Sequence, residues 1–211
     1  MKELDFDLEN NPFIGFMSAR YSVSAKLNVK NMWFYSKEND LSFFTLSLAA
    51  LMDALNKVPE LKRRIIDGRV IEYDYLEGVC PIMDEKNKIF KEMRVKTPDS
   101  FEKLIDWHDY VQKLEKDILE GNAEAFTLDM LKRDQTNIAN FSCIPWIDFD
   151  SITTAISTKN QIQPLLTWGK VNEDYEMTVA LTVNHIFVNG KELANFYQFA
   201  QENFDNCLGL K

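Results

Sequence analysis

The chain has 211 residues, with 24 Lys and Arg against 33 Asp and Glu, so its formal net charge is −9. This length fits a single domain over residues 1–211, and the acidic balance argues against a nucleic-acid partner, because phosphate binding needs clustered Lys and Arg. No run of about 18 apolar residues could span a membrane, and the first residues contain no apolar signal region. Three separated cysteines favour neither a disulfide framework nor a zinc site, so the expected compartment is a reducing cytoplasm.

The first part of the chain predicts strands and one long helix. Residues 21–29 alternate between apolar and polar side chains, which predicts a strand with one buried face. Apolar residues at helical spacing over 41–57, followed by Pro59, predict a helix that ends before the proline. Residues 70–73 and 79–83 predict two short strands around a turn.

A second long helix is predicted in the middle of the chain, where the sequence TPDS at residues 97–100 resembles a helix start and an apolar stripe continues to Gly121. Strands that alternate with long helices over the whole chain predict a mixed α/β protein, an α+β two-layer sandwich with helices packed on a sheet. The remaining predicted elements are strands at 137–142, 164–167 and 176–183, a turn or cap at Asn189-Gly190, and a closing helix over 191–204.

The chain contains two histidines, His108 and His185. A general base that works near neutral pH is most often a histidine, because its reference pKa is about 6.5. His108 lies in the middle of a predicted helix, a pattern typical of a surface or boundary residue. His185 ends a strongly alternating strand and precedes a turn and a helix, which is a frequent location for reactive groups, although a lone strand-end histidine is more often structural than catalytic.

Four segments of the chain carry recognisable motifs: YSVSAKLNV at residues 21–29, FSCIPWIDFDS at 141–151, PLLTWGK at 164–170 and NHIFVNG at 184–190. In this order they resemble the first substrate-side strand, the S-x-x-P-W-x-x-F stretch, the P-x-x-T-x-G-K stretch and the H-H-x-x-x-D-G motif of the chloramphenicol acetyltransferases. The last segment also resembles the H-x-x-x-D-G motif of dihydrolipoamide acyltransferases. With further matches at 43–54 and 59–68, the resemblance spans nearly the whole chain.

The resemblance implies roles for four residues. His185 matches the histidine that removes a proton from the acceptor hydroxyl, whose oxygen then attacks the thioester carbonyl of the co-substrate acetyl-CoA. Ser142 matches a serine that hydrogen-bonds the oxyanion, and Thr167 matches a threonine that acts through a water. A plain strand residue is the alternative for both. Tyr21 matches an aromatic position of the acceptor pocket, although a core aromatic explains it equally well. No metal is implied.

Two positions depart from the family motif. The family aspartate four residues after the base is Asn189 here, and its N-terminal arginine partner is absent, because Glu9 lies near that position and no arginine precedes Arg20. Replacement of both partners of a buried pair can be nearly neutral, so we interpret the change as compensated. Asn189 is expected to cap the closing helix or to adopt a left-handed turn before Gly190. Asn184, in place of the first motif histidine, is expected to be dispensable.

Other candidates for chemistry have simpler explanations. Cys143 could be a nucleophile, but no histidine lies in a recognisable pairing segment, so a small buried thiol is favoured. Asp148 and Asp150 fall on one face of a predicted strand and lack a third metal ligand, which favours a polar sheet face. The sequence KRR at residues 62–64 is typical of a solvated helix end, though it could attract a CoA phosphate.

The resemblance further implies a CoA-dependent acyltransferase fold, assembled as a homotrimer with active sites between subunits. Three functions remain open. The first is an acetyl-CoA-dependent O-acetyltransferase that acts on chloramphenicol. The second is the same reaction on another hydroxyl acceptor, which the lost ion pair and the divergent stretch 90–97 favour. The third is a non-catalytic trimer, against which the joint presence of His185 and Ser142 argues.

Overall fold

In the computed structural model, which describes residues 1–155, 158 and 161–209 apart from the side chains at 130 and 131, nine strands form two sheets. The strands are β1 (Lys2–Leu4), β2 (Arg20–Asn28), β3 (Arg63–Ile66), β4 (Arg69–Glu72), β5 (Glu77–Asp84), β6 (Ile89–Val95), β7 (Ile138–Cys143), β8 (Leu165–Val171) and β9 (Glu176–Asn184). The central sheet has the order β2-β9-β8-β7-β5-β6, and the small sheet has the order β1-β4-β3. In the central sheet β7 runs parallel to β5 and β8, and the other pairs are antiparallel.

The helices connect the strands and have recognisable ends. Ser42 caps the second helix, because its side-chain oxygen accepts a hydrogen bond from the Thr45 N–H at 3.3 Å. The third helix ends at Gly121, which has a left-handed φ of 82°. Within the described residues, no helix is both long and apolar enough to cross a bilayer. The helices are α1 (Lys30–Glu38), α2 (Phe43–Asn56), α3 (Leu104–Glu120), α4 (Met130–Arg133) and α5 (Gly190–Asp205).

The central sheet is buried on two chemically different faces. Along β9, the side chains at odd positions 177–183 belong to the hydrophobic core that also includes the apolar sides of α2 and α5. The side chains at even positions 178–184 point to the opposite face, where each is at most 4% exposed. This opposite side of the central sheet, which carries Thr178, Ala180, Thr182 and Asn184, is called the polar face below.

The structure confirms the predicted fold class, a mixed sheet flanked by helices, and contains each of the six predicted strands. It differs at the second long helix, because residues 97–100 include only a short 3-10 turn and α3 starts at Leu104. The sequence prediction also missed α1, β1, β3 and β6. In α1 only Met32 and Ser36 are buried, so the helix shows no apolar stripe from which it could be recognised.

The prediction of a solvated helix end at residues 62–64 is wrong for Arg64, which lies on β3 and is 0% exposed. Its guanidinium donates hydrogen bonds to the carbonyl oxygens of Thr136 at 3.1 Å and Ile138 at 2.7 Å. Burial lowers the pKa of Arg64 to about 10, and the charge of Asp134 opposes this effect. Such an enclosed cation is not available to a CoA phosphate.

Gly169 is expected to be the glycine least tolerant of alanine in the central sheet. An added Cβ would lie 2.8 Å from the carbonyl oxygen of Ile147, which accepts the Lys170 N–H at 2.9 Å. Gly169→Ala should therefore lower the free energy of unfolding by about 1–3 kcal/mol in urea denaturation. Gly190→Ala is the matched control, because nothing lies within 4 Å of its added Cβ. Equal losses in the two variants would contradict this explanation.

Candidate active site

His185 lies in the turn that directly follows Asn184, the last residue of β9. Its backbone N–H donates a hydrogen bond to the carbonyl oxygen of Ala19 at 2.8 Å. Ala19 immediately precedes β2, whose Arg20 pairs with Asn184 in the antiparallel register. The histidine backbone is therefore fixed at the end of the central sheet by the strand beside it.

Two aromatic rings contact the imidazole of His185. The Phe13 ring stacks on it with centroids 3.9 Å apart and an interplanar angle of 11°, and the Tyr21 ring lies 4.7 Å away, tilted by 35°. The Nδ1 atom of His185 is buried and makes no hydrogen bond to any described part of the chain. A buried polar atom without a partner is uncommon in folded proteins, and a catalytic role is one of its recognised explanations.

Hydrogen bonds tie both aromatic neighbours to the turn that carries the histidine. The side-chain amide of Asn11 donates to the carbonyl oxygen of Ile186 at 3.0 Å, and its oxygen accepts the Phe13 N–H at 3.0 Å. The Tyr21 hydroxyl donates to the carbonyl oxygen of Val188 at 3.0 Å. The position of the imidazole is thus set by neutral groups on two segments distant in sequence.

Asn189 caps α5, and Gly190 is the first residue of that helix. The Asn189 N–H donates to Glu192 Oε2 at 2.8 Å, and the Asn189 carbonyl accepts the Leu193 N–H at 3.1 Å. The predicted capping role is confirmed, whereas the left-handed alternative is wrong because Asn189 has a φ of −115°. Burial raises the pKa of Tyr21, and the negative charge of Glu192 adds to this effect.

The arginine–aspartate pair of the family motif has no counterpart at this turn. Glu9 is exposed, and Asn189 carries no charge. The guanidinium nitrogens of Arg20 are buried and make no hydrogen bond within the described residues. Burial lowers the pKa of Arg20, although the charge of Asp134 opposes it. The hydrogen bonds of Asn11 and Tyr21 therefore hold the turn where the family motif implies an ion pair.

Ser142 and Thr167 lie side by side on the polar face. The parallel register of β7 and β8 places Ser142 opposite Thr167, and Thr167 in turn lies opposite Ala180 of β9. Thr167 is 2% exposed, and Ser142 is half-buried. The pairing of strands thus brings together two predicted site residues that are distant in sequence.

A single chain does not bring His185 into contact with this pair. Ala180, which shares their row, lies four residues before Asn184, a distance of about 13 Å along a strand. His185 follows beyond that point. Hydrogen-bonding reach between a base and its partner is only about 2.6–3.2 Å. Within one subunit, the predicted base His185 and the predicted oxyanion donor Ser142 therefore lie too far apart to act on the same substrate atoms.

Comparison with known proteins matches residues 10–201 to the family described as chloramphenicol acetyltransferase. The chain belongs to the chloramphenicol acetyltransferase family. It is therefore an acetyltransferase. The chloramphenicol acetyltransferase of Bacillus pumilus is 22% identical over 191 residues, which cover 89% of this chain and 84% of that protein. Chloramphenicol acetyltransferase 2 of Escherichia coli is 22% identical over 193 residues, covering 89% of this chain and 87% of the relative.

Solved structures share the fold at low sequence identity. A chloramphenicol acetyltransferase superposes with a TM-score of 0.77 and 24% identity, covering 95% of this chain and 99% of the other. The dihydrolipoamide acetyltransferase of Azotobacter vinelandii gives a TM-score of 0.66 at 12% identity, covering 90% and 84%. That structure was used to investigate the catalytic role of a serine, a histidine and an asparagine four residues after the histidine.

His108 is not the surface or boundary residue that its position in the sequence predicted. It is 7% exposed and lies on the buried side of α3. Its Nε2 atom accepts the Ser42 N–H at 3.1 Å, and its Nδ1 atom lies 3.0 Å from Asp109 Oδ1. His108 therefore satisfies a backbone donor at the start of α2.

The remaining candidates carry no visible chemistry. Burial raises the pKa of Cys143 to about 12, so it remains a thiol at neutral pH. All three cysteines are free. Asp148 and Asp150 are exposed in an irregular segment after β7, so their predicted placement on a strand is wrong. The described residues contain no group of three or more His, Cys, Asp or Glu that could hold a metal ion.

Phe13 contacts the His185 ring and Asn11 contacts the turn that carries it, and neither neighbour was predicted from the sequence. Phe13 lies four residues after Glu9, which stands near the position of the family's N-terminal arginine, and this proximity was the available signal. Phe13 and His185 contact each other although they are 172 residues apart in the sequence (185 − 13). Only the folded chain could show that this ring covers the imidazole.

Phe13→Ala is expected to lower kcat by about 2- to 10-fold, because a stacked aromatic pair contributes about 0.5–1.5 kcal/mol. The effect should appear in kcat more than in the KM for acetyl-CoA, since the ring orients the base. Steady-state kinetics measures both. Phe34→Ala is the matched control, because Phe34 is 42% exposed and its ring contacts Tyr175 instead. An unchanged kcat in Phe13→Ala would show that stacking does not position the imidazole.

Proposed function

We propose that this acetyltransferase moves the acetyl group of acetyl-CoA to a hydroxyl of chloramphenicol or a related acceptor, with His185 as the general base. The observation that carries the proposal is the environment of His185, whose ring contacts Phe13 and Tyr21 and whose Nδ1 is buried without a partner in the described residues. Family membership supports the reaction class. The cytoplasm is the expected setting, where the three free thiols stay reduced.

In the proposed reaction His185 first accepts a proton from the acceptor hydroxyl and later gives that proton to the departing CoA thiolate. His185 Nε2 accepts the hydroxyl proton while the acceptor oxygen forms a bond to the thioester carbonyl carbon. The resulting oxyanion accepts a hydrogen bond from the Ser142 hydroxyl, with Thr167 beside it. Collapse of the intermediate breaks the carbon–sulfur bond, and the imidazolium returns its proton to the CoA thiolate. A positioned base contributes about 10²–10⁴-fold to such a step.

The histidine–asparagine spacing supports a neutral partner at the position of the family aspartate. His185 and Asn189 are four residues apart, the same spacing as the histidine and asparagine investigated in the A. vinelandii enzyme. We therefore propose that Asn189 acts as a scaffold residue. It caps α5 and thereby fixes the length of the turn after the base.

The separation of His185 from Ser142 supports an active site between subunits, so we propose a homotrimer in which one subunit supplies His185 and its neighbour supplies Ser142 and Thr167. In a cyclic trimer, each subunit contact joins the same two different surfaces, here the His185 side of one subunit and the Ser142 side of its neighbour. Each trimer would therefore hold three equivalent sites. Apolar side chains stand exposed near both halves. Met17 is 78% exposed on the His185 side, and Trp146 is 80% exposed after Ser142.

The direct test is a thiol-release assay with acetyl-CoA and chloramphenicol, combined with a crystal soaked in chloramphenicol and CoA. We expect saturable thiol release and an acceptor oxygen within about 2.6–3.2 Å of His185 Nε2. Thiol release no faster than in His185→Ala with every hydroxyl acceptor supplied would overturn the proposed reaction. An acceptor bound away from both His185 and Ser142 would overturn the assignment of the base.

A further inference from the structure

Residues 6–16, called the N-terminal segment below, form neither a helix nor a strand and lie against the turn that carries the proposed base. The Phe6 ring meets the Phe187 ring edge to face, with centroids 5.3 Å apart and an interplanar angle of 70°. The Phe13 ring stacks on the imidazole of His185. Because the segment has no regular ladder of backbone hydrogen bonds, its shape depends on individual contacts.

The hydrogen bonds of the N-terminal segment converge on Asn11. Its backbone N–H donates to the carbonyl oxygen of Leu8 at 3.2 Å, and its own carbonyl oxygen accepts the Ile14 N–H at 3.2 Å. Its side-chain oxygen accepts the Phe13 N–H at 3.0 Å, which is the pattern of an Asx turn. The direction in which the Phe13 ring leaves the backbone therefore depends on the Asn11 side chain.

The nitrogen of the same Asn11 side chain holds the turn itself. It donates to the carbonyl oxygen of Ile186, the residue after His185, at 3.0 Å. The Ile186 N–H donates to the side-chain oxygen of Asn184 at 3.0 Å, so asparagine side chains bind both backbone polar groups of Ile186. Ile186 is 5% exposed, and a carbonyl group that loses its partner in such a place is costly to leave unpaired.

We infer that Asn11 is a positioning residue for the acetyl transfer, because one side-chain amide fixes both the turn that carries His185 and the ring stacked on its imidazole. The inference rests on the proposed function, in which His185 is the base. Asparagine supplies a donor and an acceptor at once, whereas aspartate only accepts and alanine does neither. Displacement of a reacting group by about 1 Å costs up to about 10²-fold in rate.

The kinetic test compares Asn11→Ala and Asn11→Asp with the wild-type protein in thiol release. Asn11→Ala removes both side-chain hydrogen bonds and should lower kcat by about 10- to 100-fold, with the KM for acetyl-CoA within about twofold of its wild-type value. Asn11→Asp keeps the acceptor for the Phe13 N–H but loses the donor to Ile186, and should lower kcat by about tenfold. Asn10→Ala is the matched control, because Asn10 is exposed and its side chain contacts Asp7 instead.

Proton NMR supplies a readout that a loss of stability alone does not move. The chain contains two histidines, so His108→Leu and His185→Ala assign the two imidazole signals. A phenyl ring stacked at 3.9 Å shifts the His185 signal through its ring current. In Asn11→Ala that signal should move toward its position in Phe13→Ala, while the His108 signal stays in place. Adding Asn11→Ala to Phe13→Ala should also lower kcat by a smaller factor than in the wild-type protein, because the two residues act through a shared contact.

Wild-type kcat in Asn11→Ala would overturn the inference, and so would a lower kcat with an unmoved His185 signal. If Asn11→Ala does not fold, Asn11→Asp carries the test, because it keeps the Asx turn, and an unchanged kcat there would overturn the inference. The proposed function fails on a different result, namely equal thiol release by the wild-type protein and His185→Ala with every acceptor. In that case the His185 signal still decides whether Asn11 orients the imidazole.

Discussion

Replacement of His185 with alanine is expected to lower kcat by about 10²–10⁴-fold, the usual contribution of a positioned general base. An alcohol is a poor nucleophile at neutral pH, and His108, the other histidine of the chain, contacts the start of α2 instead. The KM values for acetyl-CoA and for the acceptor should change little, because the imidazole acts mainly in the transition state. Steady-state thiol release at saturating concentrations of both substrates measures the loss.

His108 supplies the matched control, since the chain contains only these two histidines. His108→Leu removes the acceptor of the Ser42 N–H and should lower the free energy of unfolding by about 1–3 kcal/mol. Its kcat should stay at the wild-type value at a temperature where the variant is folded. A larger loss of kcat in His108→Leu than in His185→Ala would reverse the assignment of the base.

The sequence was most informative where side-chain periodicity reflects burial. Strand β9 was predicted almost to its ends, because its odd positions are apolar and face the helices. Helix α1 was missed because contacts with α2 and α5, rather than its own pattern, stabilise it. Arg64 was misjudged for a related reason. A run of basic residues suggests solvent, and only the surrounding carbonyl groups show that the guanidinium is enclosed.

In the candidate active site, too, some residues could be predicted from the sequence and others could not. The motif led to His185, Ser142 and Thr167, and the parallel pairing of β7 with β8 explains why the last two lie together. The surroundings of the base could not be predicted, because Phe13 and Asn11 reach it from the N-terminal segment.

Ser142→Ala is expected to lower kcat by about 10²–10³-fold, the typical cost of removing one oxyanion donor. The loss should be expressed in kcat, because the negative charge that the hydroxyl stabilises develops only after attack on the thioester. Ser24→Ala is the matched control. Ser24 lies on the same row of the polar face, opposite Ala180, but belongs to β2 at the edge of the sheet. Similar losses of kcat in the two variants would contradict the role of Ser142 as the oxyanion donor.

Mixing the two inactive variants tests where the active site is assembled. His185→Ala keeps the serine and Ser142→Ala keeps the histidine, so a site between subunits is complete wherever a Ser142→Ala subunit presents its histidine to a His185→Ala neighbour. Random equimolar trimers would contain such pairs at about a quarter of their sites, so about a quarter of the wild-type activity should return after co-refolding. A site within one chain predicts no recovery, because no single subunit then carries both groups. The roughly 13 Å between Ala180 and the end of β9 is the structural reason to expect recovery.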